Sequence, residues 1–551
     1  SSVSNNGEIS GDSVSLSGAV VANSGLVAAN RVAIQTAVLR NQGTLSAGGL
    51  DVRASGAFIN GGRVLVGGNA DIVADGGFVN QLGEVSRCVT PAVCNPPPGL
   101  PPPPPPDPEK DFRFVQSPAV LAVGGLLTLA GGSVENRGVI QADGIHMALG
   151  AADLVNVRSE NDVLTDTNFG VETPTTNTGL ILATDDITVV AGALRNSGGR
   201  IAAGGRLDAR ISGDLSSVAG TRAGLSPLLG GRYITLSGAE VHTEGLVHAT
   251  QDLTVLAPTG SLTNRGTLLA GSSLAVVAGT AVINTDKAAL LGTHSVSLKS
   301  AQGIDNAGLI YGNGEAAERI DIDAGEGTFR NAGSGTVLAD TSLDIKAAAY
   351  ANGGMVASRG NARLDASSFI FRPASSPLLA FGTLRLDVAG ISVDVGETWV
   401  SPAVDTVWRG VLVNTGRVLL GGNAAGSVEN LATDSRTLAG EPDLLNGAYL
   451  LLGLPVLNGA YVDSHTDVAT RAQVVVNGLF QGSLRNVASD AKVAGIYSYS
   501  AGSAAQTVRW INAAGDTEET AALSLARLDA TGGSTAMTLE SPDAGTIVAG
   551  N

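Results

Sequence analysis

The chain has 551 residues, 44% of them hydrophobic but only 4% aromatic and 15% charged, with 74 Gly, two Cys and a net charge of −17. Glycine at about twice the usual level and so few charges exclude an ordinary globular enzyme, apolar residues along nearly the whole length exclude a disordered chain, and glycine without a three-residue period excludes collagen. Thinly spread acidic charge excludes nucleic acid as a partner, and the lack of a continuously apolar run long enough to cross a bilayer marks the chain as not membrane-spanning.

The opening Ser1-Ser2-Val3-Ser4-Asn5 has none of the regions of a signal peptide and reads as interior to a longer protein or as a processed start. A repeat then becomes plain. Val3-Ser4-Asn5-Asn6-Gly7, Val21-Ala22-Asn23-Ser24-Gly25 and Leu39-Arg40-Asn41-Gln42-Gly43 share one figure, with looser copies at Asn60 and Asn80, and the anchors lie 18, 18, 19 and 20 residues apart. Each unit carries an apolar residue, an Asn-x-Gly corner, a short apolar pair, a small-residue corner and an alternating stretch such as Leu50-Asp51-Val52-Arg53-Ala54. Period-two alternation rich in β-branched residues means short strands. Frequent corners need backbones that turn cheaply, often through positive φ, which accounts for Gly and Asn.

A unit of about 20 residues cannot bury its own apolar face, so units must stack. The fold expected is all-β: a right-handed parallel β-helix solenoid of about 20 to 25 coils. Its corner asparagines would hydrogen-bond along the axis. Residues 1–86 read as β-helix repeats.

Residues 87–116 break the period with 11 of the chain's 21 prolines, including Pro101 to Pro106, and read as an extended polyproline excursion outside the sheet. Cys88 and Cys94 lie there with no other metal ligand nearby, which fits a small disulfide loop and an oxidising compartment. Residues 117–368 resume the repeat, with corner residues at Asn136, Asn177, Asn196, Asn264, Asn306, Asn331 and Asn352. Thr243 and Asn284 stand at equivalent places in weaker copies. Shorter interruptions run over about 156–176 and 213–232.

Residues 369–551 form a divergent, aromatic-richer β region: it holds 11 of the 20 aromatics and all three tryptophans, and keeps the figure at Asn414. Aromatics are enriched in binding surfaces, so Trp399, Trp408, Tyr449, Tyr461 and Trp510 are the candidate recognition residues.

No catalytic constellation appears. His146, His242, His248, His294 and His465 never take a zinc-binding spacing, and no nucleophile elbow, phosphate loop or dinucleotide fingerprint is present. Acidic residues such as Asp71, Asp208, Asp252 and Asp344 are scattered at outward positions instead of clustering as a polysaccharide-cleaving β-helix requires. The reading is a non-enzymatic chain without cofactor or metal.

The units Asn-x-Gly-x-Leu-x-Ala-Gly-x-x-Leu-x-Val, clearest at 41–54 and 264–277, resemble the haemagglutinin repeats of the filamentous haemagglutinin family, which includes the large exoproteins of contact-dependent growth inhibition systems. The likeness covers roughly residues 1–366. It implies a secreted, cell-surface fibre of a Gram-negative bacterium, exported by an outer-membrane two-partner secretion transporter through a part absent from this chain. It also implies contact with a target-cell surface receptor, protein or glycan. The Asn-Pro-Asn motifs of the family's secretion domain and the Val-Glu-Asn-Asn toxin boundary are missing, so an internal fragment is expected. By its place in the family's order, the stretch 369–551 would form or flank a receptor-binding tip, with residues 1–368 as shaft. The competing expectations are a host adhesin binding through rod faces and loops and, more distantly, a polysaccharide-active enzyme.

Overall fold

The computed structural model describes residues 1–88, 112–158, 163–166, 171–174, 178–220, 226–312 and 319–371, then the stretches 378–388, 390–393, 398–401, 405–414, 417–420, 423–432, 449–452, 473–476, 480–488, 495–499, 506–511, 517–522, 526–529, 534–539 and 546–550. These residues are all-β, without a helix, and their parallel strands form a β-solenoid of about 16 turns. That is fewer than the period alone predicts, because insertions take chain out of the repeat. Two compact units divide the chain, Ser1–Val277 and Ala278–Asn551.

One coil of the first unit shows the construction. Arg63–Val66, Ala70–Ala74 and Phe78–Asn80 are its three strands. Arg63 lies opposite Thr44 on one side and Val120 on the other, Ala70 opposite Leu50 and Leu127, and Phe78 opposite Phe58 and Val134, all in parallel register. The stack therefore has three faces, called first, second and third in this order. Alternation sends Val64, Ile72 and Phe78 inward, each at most 2% exposed. Burying a side chain of this size contributes roughly 1.5–3 kcal/mol, which a lone coil has no neighbour to realise. Phe58 and Phe78 meet edge to face inside, with centroids 5.1 Å apart.

The corner glycines have two causes: Gly179, Gly198 and Gly245, each third in its corner figure, take positive φ as expected, while others are required by close approach. Gly25 and Gly43, third in the Asn-x-Gly figure, do not take positive φ. A Cβ on Gly25 would run into the carbonyl oxygen of Gly7, and one on Gly43 into that of Gly25. Stacked corners touch backbone to backbone, and only glycine permits that approach.

Three insertions leave this unit, all at the corner between third and first faces. After Asn80 the chain leaves in Leu82–Cys88, which pairs antiparallel with Phe112–Pro118 in a separate two-stranded sheet. It rejoins at Val120, directly over Arg63. The repeat thus gives way to the ribbon at Leu82, a few residues before position 87, and the prolines and Cys94 lie outside the described residues. After Val157 a second antiparallel pair, Val163–Asp166 with Val171–Pro174, precedes the return at Leu180. A third excursion separates Val218 from Leu228.

In the second unit the same three-face stacking runs through Ala289–Gly292, Leu309–Gly312, Thr336–Ala339 and Met355–Ser358 on the first face. Inside it Phe329 and Tyr350 stack with centroids 5.8 Å apart. Parallel pairing continues to Phe480–Ala488, whose next partner, Ser534–Leu539, is antiparallel. Tyr449–Leu452 likewise takes antiparallel Thr546–Gly550 as a neighbour. Antiparallel strands on a parallel edge cover hydrogen-bonding groups that would otherwise template further stacking.

Candidate functional site

A solenoid offers a buried axis and three repetitive outer faces, and each coil contributes the same positions to them. The axis carries the asparagines. In the first unit Asn5, Asn23, Asn41, Asn60, Asn80, Asn136, Asn156 and Asn196 form one row, each Nδ2 donating to the next Oδ1 at 2.8–2.9 Å. Asn196 then donates to Ser217 Oγ at 3.1 Å, and further along Thr243 Oγ1 donates to Asn264 Oδ1 at 2.9 Å. In the second unit Asn284, Asn306, Asn331 and Asn352 repeat the pattern at 2.8–2.9 Å.

Asparagine suits this place because its amide can be fully satisfied there. Asn136 Oδ1 accepts from Asn80 at 2.8 Å and from its own Gly138 N–H at 3.2 Å, while its Nδ2 donates to Asn156 at 2.8 Å and to the Leu180 carbonyl at 3.0 Å. All four hydrogen-bonding positions of the amide are used. The side chain closes its own turn, links two coils and holds the first strand of the next.

Of the asparagines expected at corners, Asn177 lies outside the described residues. Asn414 is described by its backbone, in register with Val393 and Asn430. Asn156, inside an expected interruption, is a rung, and so is Ser217. Neither is followed by Gly at the second position; the apolar-x-polar triples Leu154-Val155-Asn156 and Leu215-Ser216-Ser217 were the available signal.

The second face carries ion pairs outward. In the first unit Arg53 bridges Asp51 at 2.8 Å and Asp71 at 2.6 Å, and Arg210 pairs with Asp208 at 2.7 Å. The hydrogen bond to Asp71 holds the Arg53 guanidinium above its ordinary range, against a smaller opposing effect of burial. In the second unit Asp387, with its side chain 3% exposed, meets Arg363 and Arg385 at 3.0 Å and Arg409 at 2.7 Å. Burial works against its charge, but the hydrogen bond from Arg385 and the charges of the three arginines outweigh it and hold the carboxyl below its ordinary value. For Asp344 burial wins and pushes the carboxyl up. Arg319, Asp344, Asn361, Arg363, Thr383 and Arg385 border an open groove of about 380 Å³. Ala362-Arg363-Leu364-Asp365 and Leu384-Arg385-Leu386-Asp387 announce this cluster as a repeated Arg-Leu-Asp in register.

The candidate recognition aromatics divide. Trp399 and Trp408 are interior, 1% and 3% exposed, and Trp408 Nε1 donates to the Ser427 carbonyl at 2.7 Å. Tyr449 and Trp510 are described by backbone only, in Tyr449–Leu452 and Gln506–Ile511; Tyr461 lies outside the described residues. Phe381 is the large hydrophobic residue most exposed among those described, at 56%. His146, His242 and His294 are exposed and His248 half-buried, while His465 lies outside the described residues. No group of three or more metal-ligating side chains converges among the described residues, and no helix among them is long and apolar enough to cross a membrane. The disulfide expected between Cys88 and Cys94 falls outside what the structure describes.

The chain is similar to Toxin CdiA of Escherichia coli. Identity is 26% over 319 residues, an alignment covering 54% of this chain and 10% of that protein. The chain thus spans about a tenth of the length of the relative it matches. No family model matches, and no solved structure matches.

Proposed function

We propose that this chain is a non-enzymatic stretch of a long, secreted bacterial exoprotein that reaches neighbouring cells, as in contact-dependent growth inhibition. The observation that carries this reading is the hydrogen-bonded asparagine row repeated coil after coil, a device for stacking, found in a chain with partial likeness to Toxin CdiA. Repetition of this kind makes extended surfaces. In this reading residues 1–368 are shaft, residues 369–551 form or flank a tip that engages a receptor on the target cell, and an outer-membrane transporter exports the whole protein to the surface of a Gram-negative cell.

Burial of Trp399 and Trp408 favours a second reading, a host adhesin that makes contact through solenoid faces and loops. Deleting residues 369–551 from the exported protein tests the tip assignment. Loss of binding to target bacteria, with the β-sheet circular dichroism of the remainder intact, supports it; unchanged binding moves the contact to the faces. Binding of the intact chain to mammalian but not bacterial cells would replace the growth-inhibition reading with the adhesin.

A further inference from the structure

Two rungs of the asparagine row, one in each unit, are followed by glycine: Asn60-Gly61 and Asn352-Gly353. The other asparagine rungs are followed by residues with side chains, such as Gln42, Arg137 and Ala332. Geometry does not demand glycine at these two places. Neither takes positive φ, a Cβ on Gly61 would first meet the flexible end of the Gln42 side chain, and one on Gly353 would have its nearest neighbours at 3.5 Å. What glycine changes is chemistry. An asparagine side chain is open to attack by the next backbone nitrogen, and glycine crowds that nitrogen least. The nitrogen forms a bond to the side-chain carbonyl carbon, the bond from that carbon to the amide nitrogen breaks, and the amide nitrogen leaves as ammonia with the proton given up by the glycine N–H. Water then opens the five-membered imide at one carbonyl or the other, giving aspartate or isoaspartate.

We propose that Asn60 and Asn352 are conformation-gated deamidation sites, inert while their rungs are stacked and converted only from an opened coil. Both reacting groups are tied down in the closed stack. Gly61 N–H donates to the Asn41 carbonyl at 2.8 Å, and Gly353 N–H to the Asn331 carbonyl at 2.7 Å. The side-chain amides are held as firmly. Asn60 Oδ1 accepts from Asn41 Nδ2 at 2.9 Å, while its Nδ2 donates to Asn80 Oδ1 at 2.8 Å and to the Val120 carbonyl at 3.2 Å. Asn352 Oδ1 accepts from Asn331 Nδ2 at 2.9 Å and from its own Gly354 N–H at 3.2 Å. Forming the imide means turning the amide out of the row and freeing the nitrogen from the preceding coil. It also needs water at asparagines that are 0% and 4% exposed.

The product does not fit the row it came from. An aspartate at position 60 has no proton for Asn80 Oδ1 or the Val120 carbonyl, and it sets a buried charge against both acceptors. Isoaspartate adds a carbon to the main chain and puts the residues beyond it out of step with the neighbouring coils. A coil that stays open long enough is thus locked out of its stack, and the two sites record time spent unstacked. Asn6-Gly7 carries the same dipeptide at an exposed corner of the first coil and supplies a comparison within the molecule.

The test is the rate of amide-to-acid conversion in the intact folded chain, read by peptide mass spectrometry, against synthetic peptides of residues 1–11, 56–66 and 348–358 in the same mildly alkaline buffer. Asn60 and Asn352 should convert on the order of a hundredfold more slowly in the chain than in the peptides, and Asn6 within about tenfold of its peptide. Asn80→Ala, confirmed folded by circular dichroism, removes an acceptor of Asn60 and should speed conversion there at least about tenfold, with Asn352 unchanged. Asn60→Asp should lower hydrogen-exchange protection over 58–66 by at least about tenfold. Conversion of Asn60 or Asn352 in the folded chain within about tenfold of the peptide rate overturns the proposal. So does an Asn6 slowed as much as Asn60, because no row holds that exposed corner, or an unchanged rate at Asn60 in folded Asn80→Ala. An Asn60→Asp chain as well protected as wild type overturns the locking-out. If the alanine variant does not fold, the wild-type ratios still decide.

Discussion

The asparagine row and the second-face ion pairs both join polar side chains at repeated positions of the coils, yet their energetic weight differs because one is inside and the other outside. Asn136 is fully buried and uses every hydrogen-bonding position it has. Arg53 is 45% exposed and its partners Asp51 and Asp71 are 56% and 49% exposed. Water can replace the outer contacts and cannot replace the inner ones, so repetition of a polar contact matters to stability where burial removes the alternative.

Asn136→Leu should break the comparison most sharply. It leaves an acceptor on Asn156, a donor on Asn80 and the Leu180 carbonyl without their partner, at about 1–3 kcal/mol per buried group, so a cost of about 4 kcal/mol is expected. Because coils unfold locally, hydrogen exchange over 134–142 is the measurement, with little change expected several coils away.

Asp387 stands between the two classes: it is on the outer column yet buried. Asp387→Asn should cost about 1–2 kcal/mol, less than a fully buried pair because its arginines can rehydrate. Its folded carboxyl titrates below the unfolded value, so its contribution is present above about pH 4 and is lost as pH falls through the folded value. Acid unfolding should therefore flatten in the Asn variant, read from urea midpoints between about pH 2 and 5.

Thr243→Asn should strengthen the row, by about 0.5–1 kcal/mol, because a hydroxyl carries one proton where the amide carries two; slower exchange over 241–249 would show it. The smallest effect belongs to Arg53→Ala, expected within about 0.5 kcal/mol and indistinguishable from wild type in about 0.5 M NaCl by thermal melting.

The spacing of Asn5, Asn23, Asn41, Asn60 and Asn80 made the stack legible, because a solenoid keeps equivalent residues one coil apart and so writes its geometry directly into the chain. Asn156 and Ser217 were hidden because the figure sought was Asn-x-Gly. The glycine reports contact between neighbouring corners, and that contact is relaxed where an insertion leaves. The repeated Arg-Leu-Asp signals only part of the cluster at Asp387: its arginines come from three coils, and Arg409 joins it only once the coils are stacked. For Trp399 and Trp408, composition marks an aromatic-rich region but does not distinguish a lumen from a surface.

The corner where the insertions leave has a consequence for how such a chain can acquire new parts. The polypeptide departs after one rung and is received by an earlier one: Asn60 Nδ2 holds the Val120 carbonyl at 3.2 Å, 60 residues away, as Asn5 holds that of Leu26 at 2.9 Å across an uninterrupted coil. The same clasp accepts a short return or a long one. A segment spliced in at this corner therefore leaves every later residue on its own face, so cargo can be grafted sideways without lengthening or re-phasing the stack that carries it.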